Sequence, residues 1–538
     1  MSWLAAYDVT LAYGARTLVE RMTFTLDPGD RLAVVGPNGM GKSTLIAALT
    51  HQRDPDHGVI KMAAEIKLAH LAQWDAPTLQ ETVWDAAWAA NPGLHAAELR
   101  LKQLEKEMAD PQVAADADRL QQVLDEWGEL SEQFRAQGGY EWDARCKEAL
   151  QRTGFDPARF DQKVLSLSGG EHHRLHLVQV ILSGADIWLL DEPTNHLDVA
   201  TIAWLEEQIR QFRGAVLVIS HDRAFLDHIA QAVMTWEDGF FWVVNGNYSR
   251  YQHLRAERKQ QEAQKRQRLS EEEERLKDYI ARYRSGSRAK QAQSRVKRLV
   301  RIVEAKESTT GVVKPVTTPG TLIQKGIKRL RVEPAVVVDQ LHIQHGQRQW
   351  EPLSLSIPAG ARVAIIGANG AGKSSLMHAL MEGAPGVAWA PDSWRVWLDQ
   401  QAVQQLPEEQ TGMEYAYALG FDKEAIFFVG AHFGIAPALW ETALAGWSGG
   451  ERMRLKLLEA LMTPSDVLMM DEPSNHLDIA MTESLEAILQ EYPGTILMVS
   501  HDRALLEHLS THTLWATGSG FIWDPAPFRM DRAAPRAR

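Results

Sequence analysis

One series of motifs occurs twice in this chain, in the same order. "RLAVVGPNGMGKSTL" from Arg31 returns as "RVAIIGANGAGKSSL" from Arg362, and "LSGGEHHRL" from Leu167 returns as "WSGGERMRL" from Trp447. "LLDEPTNHLD" from Leu189 returns as "MMDEPSNHLD" from Met469, and "VLVISHDRAFL" as "ILMVSHDRALL". A tandem duplication of one domain is therefore the frame into which everything else must fit. The phosphate-loop motifs recur at an offset of 331 and the later motifs at 280, so the first copy holds 51 extra residues between them. Most of these fall at about 94–140. Ala97, Leu101, Leu104 and Met108, and then Leu120, Val123, Leu124, Trp127, Leu130 and Phe134, lie at helical spacing on either side of Asp110-Pro111. An inserted two-helix hairpin is expected there. With 12 acidic against 6 basic residues over Ala96–Arg145, it is a poor surface for nucleic acid.

Gly36-Pro37-Asn38-Gly39-Met40-Gly41-Lys42-Ser43-Thr44 and Gly367-Ala368-Asn369-Gly370-Ala371-Gly372-Lys373-Ser374-Ser375 both fit G-x-x-x-x-G-K-[ST]. Each follows an apolar strand pattern and precedes a helical one, the context in which backbone N–H groups wrap phosphates at a helix N-terminus. Lys42 and Lys373 are expected to reach the β/γ-phosphates of ATP, and Ser43 and Ser374 to ligate Mg²⁺. "DIWLLDEP" and "DVLMMDEP" read as buried strands ending in paired carboxylates. Asp191 and Asp471 suit Mg²⁺; Glu192 and Glu472 suit polarisation of an attacking water. These readings give an α/β fold of two tandem P-loop nucleoside-triphosphatase domains, with a helical hairpin inserted in the first and a long α-helical linker between them.

A phosphate loop, "SGGE", "DEP" and "SHDR", in that order over nearly the whole chain, resembles the ATP-binding cassette ATPases. The resemblance implies that the "SGGE" loop of one cassette closes over the ATP held by the other. ATP on Lys42 then meets Ser448 and Gly450, and ATP on Lys373 meets Ser168 and Gly170. It implies that His221 and His501 are the switch histidines contacting the γ-phosphate, and that Asp198 and Asp478 lie in the loop coupling the two sites. Gln73 in "HLAQ" and Gln400 in "WLDQ", with Gln401 as a rival, resemble the family's Mg²⁺-contacting glutamine. Tyr13 in "LAYG" resembles the ring that stacks on adenine; the second copy has His345 instead, so looser binding is expected there. Trp447 stands where the family has leucine, with no catalytic consequence expected. His172 and His173 read as a helix-surface pair rather than a metal site.

The segment joining the copies has its own chemistry. Arg250–Lys306 holds 18 basic and 8 acidic residues in a chain of net charge −13. From Arg250 to about Tyr283 it lacks proline and glycine, and a helix polar all round is expected to project into solvent. Ser285-Gly286-Ser287 signals a turn. A return helix then places Val296, Leu299, Val300 and Val303 against Leu276, Tyr279, Ile280 and Tyr283. Arg282, Arg284, Arg288, Lys290, Arg295, Lys297 and Arg298 form a basic tip suited to RNA backbone. The Thr/Pro/Gly-rich stretch after about Glu307 reads as a tether. The expected boundaries are 1–245 for the first cassette (with 94–140 as its arm), 246–332 for the linker, 333–524 for the second cassette and 525–538 for a Pro/Arg-rich tail.

"DEPTNHLD", "DEPSNHLD", "NYSRY" and "RAKQAQSRVKRL" resemble the F subfamily of these proteins (ABC-F), which act on ribosomes. The resemblance implies an ATP-dependent factor, a monomer with an intramolecular cassette dimer, whose hairpin enters the ribosomal exit (E) site. There it would lie beside ribosomal RNA and the peptidyl-site tRNA and modulate translation. Protection of the ribosome from antibiotics is the alternative; a DNA-repair role and a transporter motor rank lower. No apolar stretch approaches the roughly 18 residues a membrane helix needs, and the start does not resemble a signal peptide. The single Cys146 excludes an internal disulfide and reads as a small buried hydrophobe. A soluble, cytoplasmic protein without membrane partners is the expectation.

Overall fold

The computed structural model describes residues 2–14, 16–71, 82–114, 116–236, 241–282, 299, 334–345, 348–399, 402–475 and 477–530. The two copies repeat one sheet plan. In the first, the strands run Leu68–Leu71, Ile187–Asp191, Ala215–Ile219, Arg31–Val34, Ala232–Thr235 and Trp242–Asn245 across one six-stranded sheet. In the second they run Arg395–Leu398, Val467–Asp471, Thr495–Val499, Arg362–Gly367, His512–Ala516 and Phe521–Asp524. In each sheet the first five are parallel and the last is antiparallel. Every residue of Ile187–Asp191, Ala215–Ile219, Val467–Asp471 and Thr495–Val499 is buried, as expected for strands covered on both faces. A smaller three-stranded antiparallel sheet packs beside each large one: Leu4–Tyr13 with Arg16–Leu26 and His57–Met62, and Val336–Leu341 with Leu353–Ile357 and Val387–Trp389.

The inserted region of the first copy is helical. Helix Pro92–Met108 is started by Asn91, whose Oδ1 accepts the Leu94 N–H. After the Asp110-Pro111 break, Asp116 caps a second helix, Ala117–Ala136. Arg100 forks onto both carboxylate oxygens of Glu126 at 2.8 Å, bridging the two. Leu104, Val113 and Val123 form the apolar seam between them. Cys146 is fully buried, as expected, and burial pushes its thiol up to about 12. Trp447 also belongs to a core: it stands edge-on to Trp440 and donates Nε1 to Thr442 Oγ1 at 3.1 Å.

The linker begins as one 35-residue helix, Tyr248–Arg282. Its root is apolar and buried, with Tyr248 and Tyr251 in the core of the first copy alongside Ile479 of the second. Gln252 Nε2 donates to Glu483 Oε1 of the second copy at 3.0 Å. The helix therefore leaves the molecule from the seam between the copies. Its distal part is polar, although Leu276 is buried. The rest of the expected hairpin, with its turn and basic tip from Arg284 to Arg298, lies outside the described residues apart from the helical Leu299, and nothing is described of the Arg282 side chain.

Candidate nucleotide site between the two copies

Each phosphate loop leaves the C-terminal end of a central strand and opens a helix, Lys42–Leu49 or Lys373–Glu382. The last glycine of each loop is left-handed, Gly41 at φ +102° and Gly372 at φ +94°. A Cβ on Gly41 would lie 2.9 Å from Leu18 Cδ1, and one on Gly372 2.7 Å from Trp350 Cε2, so conformation and space both demand glycine. Between them, Met40 N donates to Pro37 O at 3.4 Å and Ala371 N to Ala368 O at 3.1 Å, closing the two loop turns across Gly39 and Gly370. The lysine heads fold back over the loops: Lys42 Nζ donates to Gly36 O and Lys373 Nζ to Gly367 O, each at 2.7 Å. Ser43 and Ser374 follow in the first helical turn, with Thr44 and Ser375 beside them. Ser374 Oγ donates to Asp471 Oδ2 at 2.7 Å; the matching Ser43–Asp191 distance is a looser 3.5 Å.

Glu192 and Glu472 directly follow those strand-end aspartates and are themselves left-handed, at φ +50° and +53°. A non-glycine residue held there stores about 1–3 kcal/mol of strain, tolerated where the surroundings over-determine it. Here the Glu192 N–H donates to Ile219 O at 2.8 Å and that of Glu472 to Val499 O at 2.9 Å. Each side chain accepts the backbone N–H of a switch-position histidine, His221 at 3.2 Å and His501 at 3.3 Å. The histidine rings close the constellation. His221 Nε2 lies 3.1 Å from Lys42 Nζ and 3.2 Å from Glu192 Oε1; His501 Nε2 lies 3.4 Å from Glu472 Oε1.

Burial dominates the electrostatics. It pushes Glu192 and Glu472 up to about 8, Lys42 and Lys373 opposing the shift while Asp191 and Asp471 add to it. It pulls both histidines down to about 3, helped by Lys42 and Lys373. Neutral imidazoles therefore face the lysines, able to accept or donate a hydrogen bond but disfavoured as proton acceptors.

The copies meet at these motifs. Asn38 N donates to Asp478 Oδ2 at 3.1 Å, and Asn369 N to Asp198 Oδ2 at 3.2 Å, so each phosphate loop touches the other copy's coupling loop. Ser168 and Ser448 each begin a helix through a capping box with the glutamate three residues on. One cavity of about 870 Å³ runs between the copies and reaches both phosphate loops, both aspartate–glutamate pairs, both histidines, Ser168, Gly170 and Gly450. Ser448 caps its helix without lining that cavity.

Two arginines in the cavity wall escaped the sequence reading. Arg174 and Arg454 line it, and burial pulls both guanidinium groups below their ordinary value. Their signal is present in the sequence: each is the seventh residue of "SGGEHHRL" or "SGGERMRL", the same place in both copies. Arg348 and Trp350 line the second phosphate loop only; Arg348 Nη1 donates to Gly370 O at 2.8 Å. The histidine reading needs correction: His172 is buried, not on the helix surface, and His173 stands edge-on to His196. The helix Gly169–Leu182 is packed on most sides, which removes the solvated face that the pair was assigned. Gln73, Gln400 and Gln401 lie outside the described residues, and nothing is described of the Tyr13 and His345 side chains.

Serine hydroxyl and aspartate oxygens at each site are hard donors that fit Mg²⁺. Among the described residues no cluster of three or more His, Cys, Asp or Glu is able to hold a metal alone. Such a cation would need phosphate oxygens to complete its shell.

The family model described as ABC transporter matches residues 19–195 and 350–475, and a second model with the same description matches 236–314. The energy-dependent translational throttle protein EttA of Mycobacterium tuberculosis is 30% identical over 94% of this chain and 90% of its own length. ABC transporter F family member 5 of Arabidopsis thaliana is 29% identical over 93% of this chain and 73% of its own. The probable ATP-binding protein YheS of Escherichia coli is 30% identical over 92% and 75%. Among solved structures, archaeal ribosome recycling factor aABCE1, in its complex with the stalk protein aP1, superposes with a TM-score of 0.60 at 16% identity. That match covers 96% of this chain and 89% of that one, a likeness of fold. No helix among the described residues is long and apolar enough to cross a membrane.

Proposed function

Because the chain belongs to the F subfamily of ATP-binding cassette proteins, whose cassettes hydrolyse ATP, we propose that it is a translation factor that binds the ribosome in its ATP-closed state. The observation that carries this reading is the end-to-end similarity to a protein named as a translational throttle. The linker supports the mechanical part. Its helix is rooted in the first cassette and fastened to the second by Gln252–Glu483, so the angle between cassettes sets where the helix points.

In each composite site the lysine and loop N–H groups bind the phosphates, and the signature helix of the other cassette approaches the γ-phosphate with its N-terminus. Ser43 with Asp191, and Ser374 with Asp471, would hold Mg²⁺, which would supply neutralisation of phosphate charge. The family resemblance would add Gln73 at the first site, and Gln400 or its rival Gln401 at the second, to the same ion. Glu192 and Glu472 orient the attacking water and accept its proton, a role that requires the charged form toward which Lys42 and Lys373 draw them. Closure aims the linker at the ribosomal exit site, where its basic tip lies against ribosomal RNA and the peptidyl-site tRNA. Hydrolysis reopens the cassettes and releases the factor.

The test is Glu192→Gln with Glu472→Gln, incubated with ATP and sedimented with ribosomes. ATP-dependent co-sedimentation is expected; its absence refutes the proposal. Charge reversal at Arg288, Lys290, Arg295, Lys297 and Arg298 is expected to abolish that binding while basal ATPase activity persists. Equal loss of both would assign these residues to the fold instead.

A further inference from the structure

Each coupling aspartate starts a helix that touches the opposite cassette a second time. Asp198 caps Val199–Gln211 through the Thr201 N–H, and Asp478 caps Ile479–Glu491 through the Met481 N–H. Eight residues on, about 12 Å along the axis, stand Glu206 and Glu486. Arg223 Nη2 donates to Glu486 Oε2 at 2.8 Å, and Arg503 Nη2 donates to Glu206 Oε1. Both arginines belong to "SHDR" and lie two residues beyond a switch histidine. Each also faces the aspartate of the opposite "SHDR": Arg223–Asp502 at 3.9 Å and Arg503–Asp222 at 3.7 Å. The glutamates are held from behind by their own cassette, Glu206 by His228 at 3.0 Å and Glu486 by His508 at 2.7 Å. At the helix starts, Ile479 sits in the first cassette's core and Val199 packs on the second's. Each helix is thus a strut between the phosphate loop and the switch segment of one composite site, supplied by the opposite cassette.

We propose that Arg223 and Arg503 are positioning residues for hydrolysis: each fixes its switch histidine only when the opposite cassette's strut helix is seated at both ends. The charges suit a check on register. Arg223 and Arg503 are 8% and 4% exposed. Paired and buried they add little net attraction, but any misfit strands a charge away from water, so the contact penalises partial closure more than it rewards full closure. The arrangement is crossed. Glu486 serves the site of Lys42, Glu192 and His221; Glu206 serves the site of Lys373, Glu472 and His501.

The test reads one site at a time by single-turnover hydrolysis at saturating ATP. In a Glu472→Gln background only the Glu192 site turns over. There Glu486→Gln is expected to lower the rate about fivefold or more, the usual lower bound for coupling between sites, with little change in the ATP concentration for half-saturation. In a Glu192→Gln background the same Glu486→Gln is expected to leave the rate unchanged. Glu206→Gln should show the reverse pattern. Arg223→Lys, which keeps the charge but loses the guanidinium fork, gives a second reading of the Glu192 site should Glu486→Gln lower the melting temperature. An equal fall at both sites, or no fall at either, overturns the proposal, because a strut needed only for the fold has no reason to choose between them.

Discussion

Asp478 performs two tasks with two oxygens, and two substitutions separate them. Its Oδ1 accepts the Met481 N–H at 3.0 Å, capping the helix Ile479–Glu491, while its Oδ2 accepts Asn38 N–H across the seam at 3.1 Å. Asp478→Ala removes both. The lost cap costs about 1 kcal/mol, which lowers the melting temperature of a unit of this size by about 2–4 °C. The lost cross-seam bond has a charged acceptor and is worth about 1.5–3 kcal/mol, so ATP-driven closure should weaken by about 10- to 150-fold. Asp478→Asn keeps a cap of equal quality but not the charge. Its melting temperature should match the parent, and its closure should weaken by less, since a charge-assisted bond is about twice as strong as a neutral one. Differential scanning calorimetry without nucleotide reads the first quantity. Small-angle X-ray scattering across an ATP titration, in the Glu192→Gln, Glu472→Gln background, reads the second. Equal loss of melting temperature in both variants, or unchanged closure in Asp478→Ala, would refute the division of labour.

Other outcomes follow from the same geometry. Without nucleotide, Glu192 and Glu472 hold protons up to about pH 8, whereas an unfolded glutamate releases its proton near 4.5. The folded chain binds more protons across that window, so their contribution to stability is complete below it and is lost as pH rises through about 8. The Glu192→Gln, Glu472→Gln variant should therefore melt higher than the parent at pH 8 and converge with it toward pH 5. The lowered histidines act in the opposite sense but cancel in this comparison. Gly372→Ala forces a Cβ into Trp350 at φ +94° and should weaken ATP binding at the second loop by about tenfold or more, from strain and overpacking together. Equilibrium binding in a Lys42→Ala background measures it. Gly446→Ala meets nothing within 4 Å and serves as the neutral control.

What the sequence made legible depended on distance along the chain. The phosphate loops, the strand-end carboxylates and the polar linker helix are local. Their spacing alone puts a lysine at a helix start or a glutamate at a strand end, and the structure places Lys42, Glu192 and Tyr248–Arg282 accordingly. A helix-surface reading of His172 and His173 does not survive in the structure, where His172 is buried. Packing on the helix Gly169–Leu182 is decided by elements remote in sequence. Arg223 and Arg503 show the same limit more sharply. They were in plain view inside a repeated motif, yet their partners Glu486 and Glu206 lie 263 and 297 residues away. A duplication reports what each copy contains, not what the copies do to one another. It does leave one trace. When two copies face each other about a twofold axis, a residue that reaches across must meet a partner that is duplicated too. Arg223 and Arg503 differ by 280, and so do Glu206 and Glu486. Two opposite charges repeated at one offset, the arginine within a nucleotide motif and the glutamate outside all of them, are the pattern that a swapped contact leaves in a tandem sequence.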